Sequence, residues 1–319
     1  MMTRLGRLFS DWLLSVAEPV VPNHRWLVRS RGRLMVDNGQ VERAILYLHH
    51  QIQRRPDDAW LHFHAGRAAE SRDLYRQARV RFAHAATLAP EEPTFRFALG
   101  LSLRREGHLG AAVREFRYAL ESLPDDPRVL FNLAQAEQDR GHLPEAASLL
   151  SQVAAIWPQK ARVHYQAGVC ARDRGLVDDA EKALLRAIEC APDLLRARYV
   201  LAHLFAEQGE IEQATVALEA ILTRQDDYGP AHYLLGRLRV SDSPAKAQFH
   251  FHEALLGQPA VLRAHLDLGR LLEHAQRYGR ARSEYLLFAR HYPNERPAWI
   301  EARLAWLDAI LAGEGLADD

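Results

Sequence analysis

Cysteine is scarce in this chain of 319 residues: only Cys170 and Cys190 occur. No disulfide scaffold can hold it together, and a reducing compartment suits it. Lysine is nearly missing as well, with Lys160, Lys182 and Lys246 the only ones among 41 basic residues. Net charge is absent, because 41 acidic residues offset the bases. That balance argues against a dedicated nucleic-acid binder, whose affinity rests on a basic surface. No apolar run approaches the roughly 20 residues that a membrane-spanning helix needs. A Walker-type phosphate loop, a Cys-x-x-Cys pair and a His-Glu-x-x-His motif are all missing. No catalytic constellation emerges, so the expectation is a non-enzyme without cofactor.

The 16 histidines invite a metal site, and their spacing argues against one. His62-x-His64 and His250-x-His252 are the closest pairs besides the adjacent His49 and His50. On a helix, residues i and i+2 point about 200° apart and cannot clasp one ion. Zinc sites use i, i+4 pairs or sets assembled in space. Cys170 and Cys190 are expected to be buried as small apolar residues.

Periodicity is what the sequence does have. Pro56, Pro90, Pro124, Pro158 and Pro192 stand 34 residues apart, and Pro259 and Pro293 continue the series. A fixed period of this length signals an array of stacked units. Ala44, Ala78, Ala112, Ala146, Ala180, Ala214, Ala247 and Ala281 recur once per unit. A small residue sits 12 positions before most of them, as in Gly66 and Gly100. Four positions after each stands a large apolar one, as in Phe82 and Phe116. Small residues let two helices approach, and the bulky one fills the gap beside them. Within a unit the apolar spacing is helical, and Gly39, Gly107, Gly141, Gly175 and Gly209 stand where a left-handed cap would end the first helix. Each unit reads as a helix–turn–helix hairpin, ended by its proline and followed by acids such as Asp125 and Asp126 that start the next helix.

A hairpin of 34 residues with Leu99-Gly100, Gly107, Ala112, Phe116, Ala119 and Pro124 resembles the tetratricopeptide repeat. The resemblance covers eight units: 25–58, 59–92, 93–126, 127–160, 161–194, 195–228, 229–261 and 262–295. It implies an all-α, right-handed superhelical solenoid and says little about activity. Two departures stand out. The sixth unit has Asp226 in place of proline, and the seventh lacks one residue in its Ser241–Pro244 turn. A loosened or re-angled stack is expected near 226–244.

Residues outside the repeats complete the plan. Residues 296–319 read as a capping helix and an acidic tail, with Trp299, Ile300, Leu304, Leu307 and Ile310 on the apolar face. Residues 1–24 hold an amphipathic helix over 3–17, with Leu5, Leu8, Phe9, Trp12, Leu13 and Val16 on one side, followed by Pro19 and Pro22. It reads as a cap on the first repeat, as a membrane-surface or partner-docking helix, or as a signal peptide. The matching locations are the cytoplasm, a membrane periphery, or export.

By the same resemblance, the first helix of each hairpin lines a concave groove. Its fifth position reads Arg29, Phe63, Phe97, Phe131, Tyr165, Tyr199, Tyr233 and Leu266, a line of six aromatics. Such rings suit a recognition surface, and they equally suit packing between hairpins. Its second position reads Trp26, Trp60, Thr94, Arg128, Arg162, Arg196, Pro230 and Arg263. Acids nearby offer local pairing, Asp125 or Asp126 for Arg128 and Asp193 for Arg196. Counted over the groove positions, with Arg104 among them, bases exceed acids by two to one. A basic groove attracts an acidic partner. The carboxylate clamp of chaperone-binding arrays is disfavoured: Asn132 and Arg162 fit it, while Phe97 and Leu101 stand where Lys and Asn are needed. The expected function is an adaptor that binds a segment of a partner protein through Phe63, Phe97, Phe131, Tyr165, Tyr199, Tyr233, Arg104, Arg128, Arg162, Arg196 and Asn132. The partner segment is expected to be acidic with apolar anchors, and no small-molecule substrate is expected. The alternative reading is a structural scaffold or assembly factor acting through self-association or N-terminal helix docking, at a membrane surface among other places, and RNA binding is a remote one.

Overall fold

The computed structural model describes residues 25–293 and 298–314, and the chain divides into two compact units, Met1–Pro158 and Gln159–Asp319. The predicted helix over 3–17 and the end of the acidic tail lie outside the described residues. In the first unit the order is α1 (Arg25–Asp37), α2 (Val41–Arg54), α3 (Ala59–Glu70), α4 (Tyr75–Leu88), α5 (Pro93–Arg105), α6 (Leu109–Ser122), α7 (Pro127–Asp139) and α8 (Leu143–Ile156). The second unit has α9 (Ala161–Asp173), α10 (Val177–Cys190), α11 (Leu195–Glu207), α12 (Ile211–Leu222), α13 (Gly229–Arg239), α14 (Pro244–Leu256), α15 (Ala264–His274), α16 (Tyr278–His291) and α17 (Ala298–Glu314). No strand occurs among the described residues. The fold is an all-α solenoid of helical hairpins, and each predicted repeat holds two of these helices.

The repeating alanine explains the hairpin. It is fully buried in all eight repeats, from Ala44 to Ala281. Opposite it, the small residue of the first helix lets the bulky side chain of the second pass. A Cβ on Gly100 would stand 2.6 Å from the Phe116 ring, and one on Gly236 would stand 2.7 Å from Phe251. These distances leave no room, so the glycine is what allows the two helices to cross at an aromatic.

First helices end in a shared cap. Gly107 has φ +79, its N–H donates to Arg104 O at 3.0 Å, and the His108 N–H donates to Leu103 O at 2.9 Å. This pair of bonds satisfies carbonyls that the helix end would otherwise orphan. Gly39, Gly141, Gly175 and Gly209 are left-handed as expected. Two repeats keep the conformation without glycine, at Asp73 (φ 57) and Gln276 (φ 60). The shortened seventh repeat has no left-handed residue at its turn, where Ser243 N–H donates to Arg239 O at 2.9 Å.

Near 226–244, where a loosened or re-angled stack is expected, the turn before the seventh repeat touches the turn after it. Gln258 N–H donates to Asp227 O at 2.6 Å, and Gln225 Nε2 donates to Gln258 O at 3.4 Å. A Cβ on Gly257 would lie 2.6 Å from Asp227 O and from Gly229 Cα. Backbone meets backbone there, and only glycine permits it.

Beyond the eighth repeat, α17 covers the last apolar surface. Ile300, Leu304 and Leu307 are buried against Tyr285, Phe288 and Leu266. Trp299, expected on the buried face, stays at the rim, where the Arg270 guanidinium lies 5.3 Å from its ring.

Candidate partner-binding face

Three of the six aromatics in the line on the first helices pack against a ring inside their own hairpin. Phe63 lies 5.7 Å from Phe82 at an interplanar angle of 48°, and Phe97 lies 5.9 Å from Phe116 at 49°. In the second unit Tyr233 and Phe251 repeat the pair at 6.1 Å and 48°. The same ring-on-ring contact thus recurs in three repeats. Phe63, Phe97, Tyr165, Tyr199 and Tyr233 remain half-buried and show a flank to solvent, whereas Phe131 is buried.

Arginines on this face behave differently in the two units. In the first, Arg29 donates to both oxygens of the buried Asp58 at 2.9 and 3.0 Å. Arg67 donates to Asp37 at 2.8 Å, Arg33 to the same carboxylate at 3.4 Å, and Arg105 pairs with Glu70. Arg104 donates to Gln135 Oε1 at 2.9 Å and lies 3.9 Å from Asp139. Arg128 grips the carboxylate of Asp126 at 2.6 Å, and this bond holds the Asp126 carboxyl below its usual range. The same carboxylate accepts the Arg128 N–H at 2.8 Å and so caps α7. Asn132 spends its amide on its own helix, donating to Arg128 O at 2.8 Å.

In the second unit the acids at the helix starts are gone. Asp58, Glu92 and Asp126 precede first helices in the first unit, and Lys160, Leu194 and Tyr228 take that position in the second. Arg172 and Arg270 still meet Asp173 and Asp267, at 2.8 and 3.2 Å. Arg196, Arg237 and Arg263 are exposed and form no ion pair among the described residues. Asp193, the expected partner of Arg196, instead lies 3.5 Å from Arg224. Arg162 is exposed at the start of α9.

Tyrosines bring these arginines onto one surface. The rings of Tyr199 and Tyr228 lie 6.3 Å apart, and the Arg237 guanidinium sits 6.0 Å from the Tyr233 ring. Arg196 and Tyr165 act electrostatically on Tyr228, as Arg237 does on Tyr199. Burial pushes both hydroxyls above their ordinary pKa, so they stay neutral donors at physiological pH. Tyr228 escaped the sequence reading because it precedes the helix rather than lying on it. Its signal was a ring at a position that holds an acid in the first unit.

Histidines form pairs that the linear spacing hid. His232 Nε2 lies 2.8 Å from Asp226 O, and its Nδ1 lies 3.0 Å from His250 Nδ1. The carbonyl fixes Nε2 as the donor, which leaves His232 Nδ1 to accept from His250. His62 Nε2 contacts Pro56 O in the same way at 2.9 Å, and Arg198 Nε donates to Pro192 O at 3.3 Å. These side chains tie α3, α11 and α13 to the turns before them. Burial lowers the His64 and His250 pKa values to about 4.

Glu137, His142 and Glu145 offer one ligand atom each within 4.8 Å of one another. Arginines already occupy that cluster. Arg117 reaches Glu137 at 3.0 Å and Glu145 at 2.7 Å, and Arg140 reaches Glu137 at 2.9 Å. Glu137 is wholly buried, and a cation there would compete with two guanidinium groups. Cys170 is buried, which raises its pKa, and Cys190 is half-buried with Sγ 3.7 Å from Gln159 Oε1.

The tetratricopeptide repeat family model matches residues 57–127, 97–160, 131–194 and 237–296, more than half of the sequence. The chain belongs to the tetratricopeptide repeat family. Tetratricopeptide arrays serve in general as protein-interaction modules and scaffolds. No curated protein matches the chain by sequence. Among solved structures it is similar to human IFIT1, determined as a dimer with m7Gppp-AAAA, at 17% identity and a TM-score of 0.62, over 97% of this chain and 79% of that one. A tetratricopeptide repeat protein from Parabacteroides merdae gives 15% identity and a TM-score of 0.60, over 71% of this chain and 90% of that one. YrrB, described as a tetratricopeptide protein with an unusual peptide-binding site, gives 22% and 0.52, over 58% and 95%. At these identities the likeness carries the fold. Among the described residues no helix is long and apolar enough to cross a membrane.

Proposed function

We propose that this tetratricopeptide array is a non-enzymatic adaptor that holds an acidic segment of a partner protein on the first helices of its second unit. The observation that supports this most is the contrast in charge. On the first helices of the first unit Arg29, Arg67 and Arg128 are paired with carboxylates, whereas Arg196, Arg237 and Arg263 stand beside Tyr199, Tyr228 and Tyr233 without such partners among the described residues. Guanidinium groups with no carboxylate partner cost little to engage and make charge-assisted bonds to an incoming carboxylate. Half-exposed rings add contact area at small entropic cost. Arg162 and Tyr165 extend the surface along α9. In the first unit, Phe63, Phe97, Arg104, Arg128 and Asn132 serve packing and internal pairing before any partner, and Phe131 is buried.

A library of acidic peptides with Phe, Leu or Trp anchors, measured by fluorescence polarisation, tests this reading. Binding should weaken as salt rises, and Arg196→Ala/Arg237→Ala should weaken it about tenfold or more and flatten the salt dependence. Equal binding by both proteins at every salt concentration would overturn it. Stacked rings and arginines also suit single-stranded RNA, and the human IFIT1 structure contains m7Gppp-AAAA. A retardation assay with capped and uncapped RNA separates the two, and the acidic-peptide reading predicts no shift.

A further inference from the structure

The outer face, built by the second helices, carries two apolar patches that partner binding on the first helices leaves unused. Both arise at one register position, two residues after the buried alanine. In the first unit this position holds Leu46 on α2 and Val80 on α4, which are 73% and 47% exposed. In the second it holds Val216 on α12 and Phe249 on α14, at 66% and 56%. Large apolar side chains held out in water at a repeated position call for a covering surface.

The net charge around the two patches is opposite, with Glu42 beside Leu46 already paired with Arg72. Arg43 and Arg76 lie one helical turn before Leu46 and Val80, and Arg114 takes the same register position on α6. None of these three forms an ion pair among the described residues, and α4 contains no acidic residue. Around Val216, Glu212 and Glu219 stand one turn to either side, and α12 contains no basic residue. Lys246 precedes Phe249 by one turn and Glu253 follows it by one turn, so three carboxylates and one ammonium flank this patch, and Leu256 beyond it is exposed. Glu212, Glu219 and Glu253 also lack an ion pair among the described residues.

We infer that the chain self-associates, the basic outer patch of the first unit on one copy seating against the acidic outer patch of the second unit on another. A second copy is the occupant because it supplies what each patch needs. The apolar residues of either patch sit on successive second helices, one repeat apart in sequence. The signs of the flanking charges are complementary, which orients encounter and penalises like-on-like pairing. This contact is independent of the inner face and leaves Tyr199 and Arg196 accessible to a partner.

Sedimentation velocity on the purified full chain tests the inference, with circular dichroism confirming that each variant is folded. The wild type should form a species heavier than the 36.2 kDa monomer at low ionic strength and lose it as salt rises. Arg43→Glu/Arg76→Glu should be monomeric, as should Glu212→Arg/Glu219→Arg, because each makes the two patches alike in sign. Combining the four substitutions in one chain should restore the heavier species. Val216→Ser/Phe249→Ser should remove it without altering charge. A wild type that stays monomeric at every concentration overturns the inference. So does a reversed-charge variant that associates like the wild type, or a combined variant that fails to recover. The acidic-peptide assay on the same variants separates this contact from the inner-face reading, since outer-face changes should leave peptide binding intact.

Discussion

Gly66 lies so close to Phe82 that a Cβ on it would stand 2.5 Å from the ring. The same contact recurs wherever the bulky position is aromatic: Gly100 with Phe116, Gly236 with Phe251 and Gly269 with Tyr285. Alanine replaces the glycine only opposite leucine, as Ala134 with Leu150 and Ala202 with Leu218. The pair therefore behaves as a unit. Gly100→Ala should lose about 1 kcal/mol, because overpacking costs about 1–3 kcal/mol against a helix-propensity gain of about 1. Adding Phe116→Leu should recover part of that loss. Urea unfolding of the two single variants and the double would reveal the coupling, and strictly additive effects would contradict it.

The left-handed caps make a second prediction. Gly107 has φ +79, and a Cβ there costs about 1–2 kcal/mol. Gly107→Ala should lower stability by about that amount. Gln276, already at φ 60, should tolerate glycine with no loss or a small gain. Thermal unfolding of both variants would check the pair, and a stabilising Gly107→Ala would contradict it.

Acid should weaken the fold through two histidines. His64 and His250 titrate near 4 in the folded chain because burial disfavours their charged forms, against 6.5 for an ordinary imidazole. Between those values the unfolded chain binds more protons than the folded one. Stability therefore falls as pH drops from 6.5 towards 4 and is fully retained above that window. His64 Nδ1 has no hydrogen-bond partner among the described residues, so His64→Leu should leave the fold intact near neutral pH and flatten the acid slope. Denaturant midpoints measured across this range would test it, and an unchanged slope in the variant would count against it.

The repeat was legible in the sequence because packing enforces it. Ala44 through Ala281 mark helix crossings that accept no larger residue, and Gly39 through Gly209 mark caps that need a positive φ. Side-chain pairing was less legible. Counting charges on the first helices leaves out Asp58 and Asp126, which sit one position before those helices; Asp58 reaches back to Arg29 and Asp126 forward to Arg128. Asp193 turned to Arg224 rather than Arg196 because long side chains choose partners across repeats as well as along them. The pairing of His232 with His250 joins two helices of one hairpin across 18 residues, and no local spacing encodes it. Near Asp226 and the shortened turn, Gly229 and Gly257 bring backbone against backbone, a contact that no local spacing encodes.

Photo-crosslinking from two positions of the full chain tests the account most directly. A benzophenone amino acid replaces Tyr199 on the inner face in one protein and Val216 on the outer face in another. Irradiation in native lysate, followed by mass spectrometry, identifies the attached peptides. The account predicts Asp- and Glu-rich segments of a different protein at position 199, lost on adding Arg196→Ala/Arg237→Ala. At position 216 it predicts peptides of this chain itself, from around Leu46 and Val80. Adducts at 199 that are neutral or basic, or that survive the arginine substitutions, would contradict the central claim.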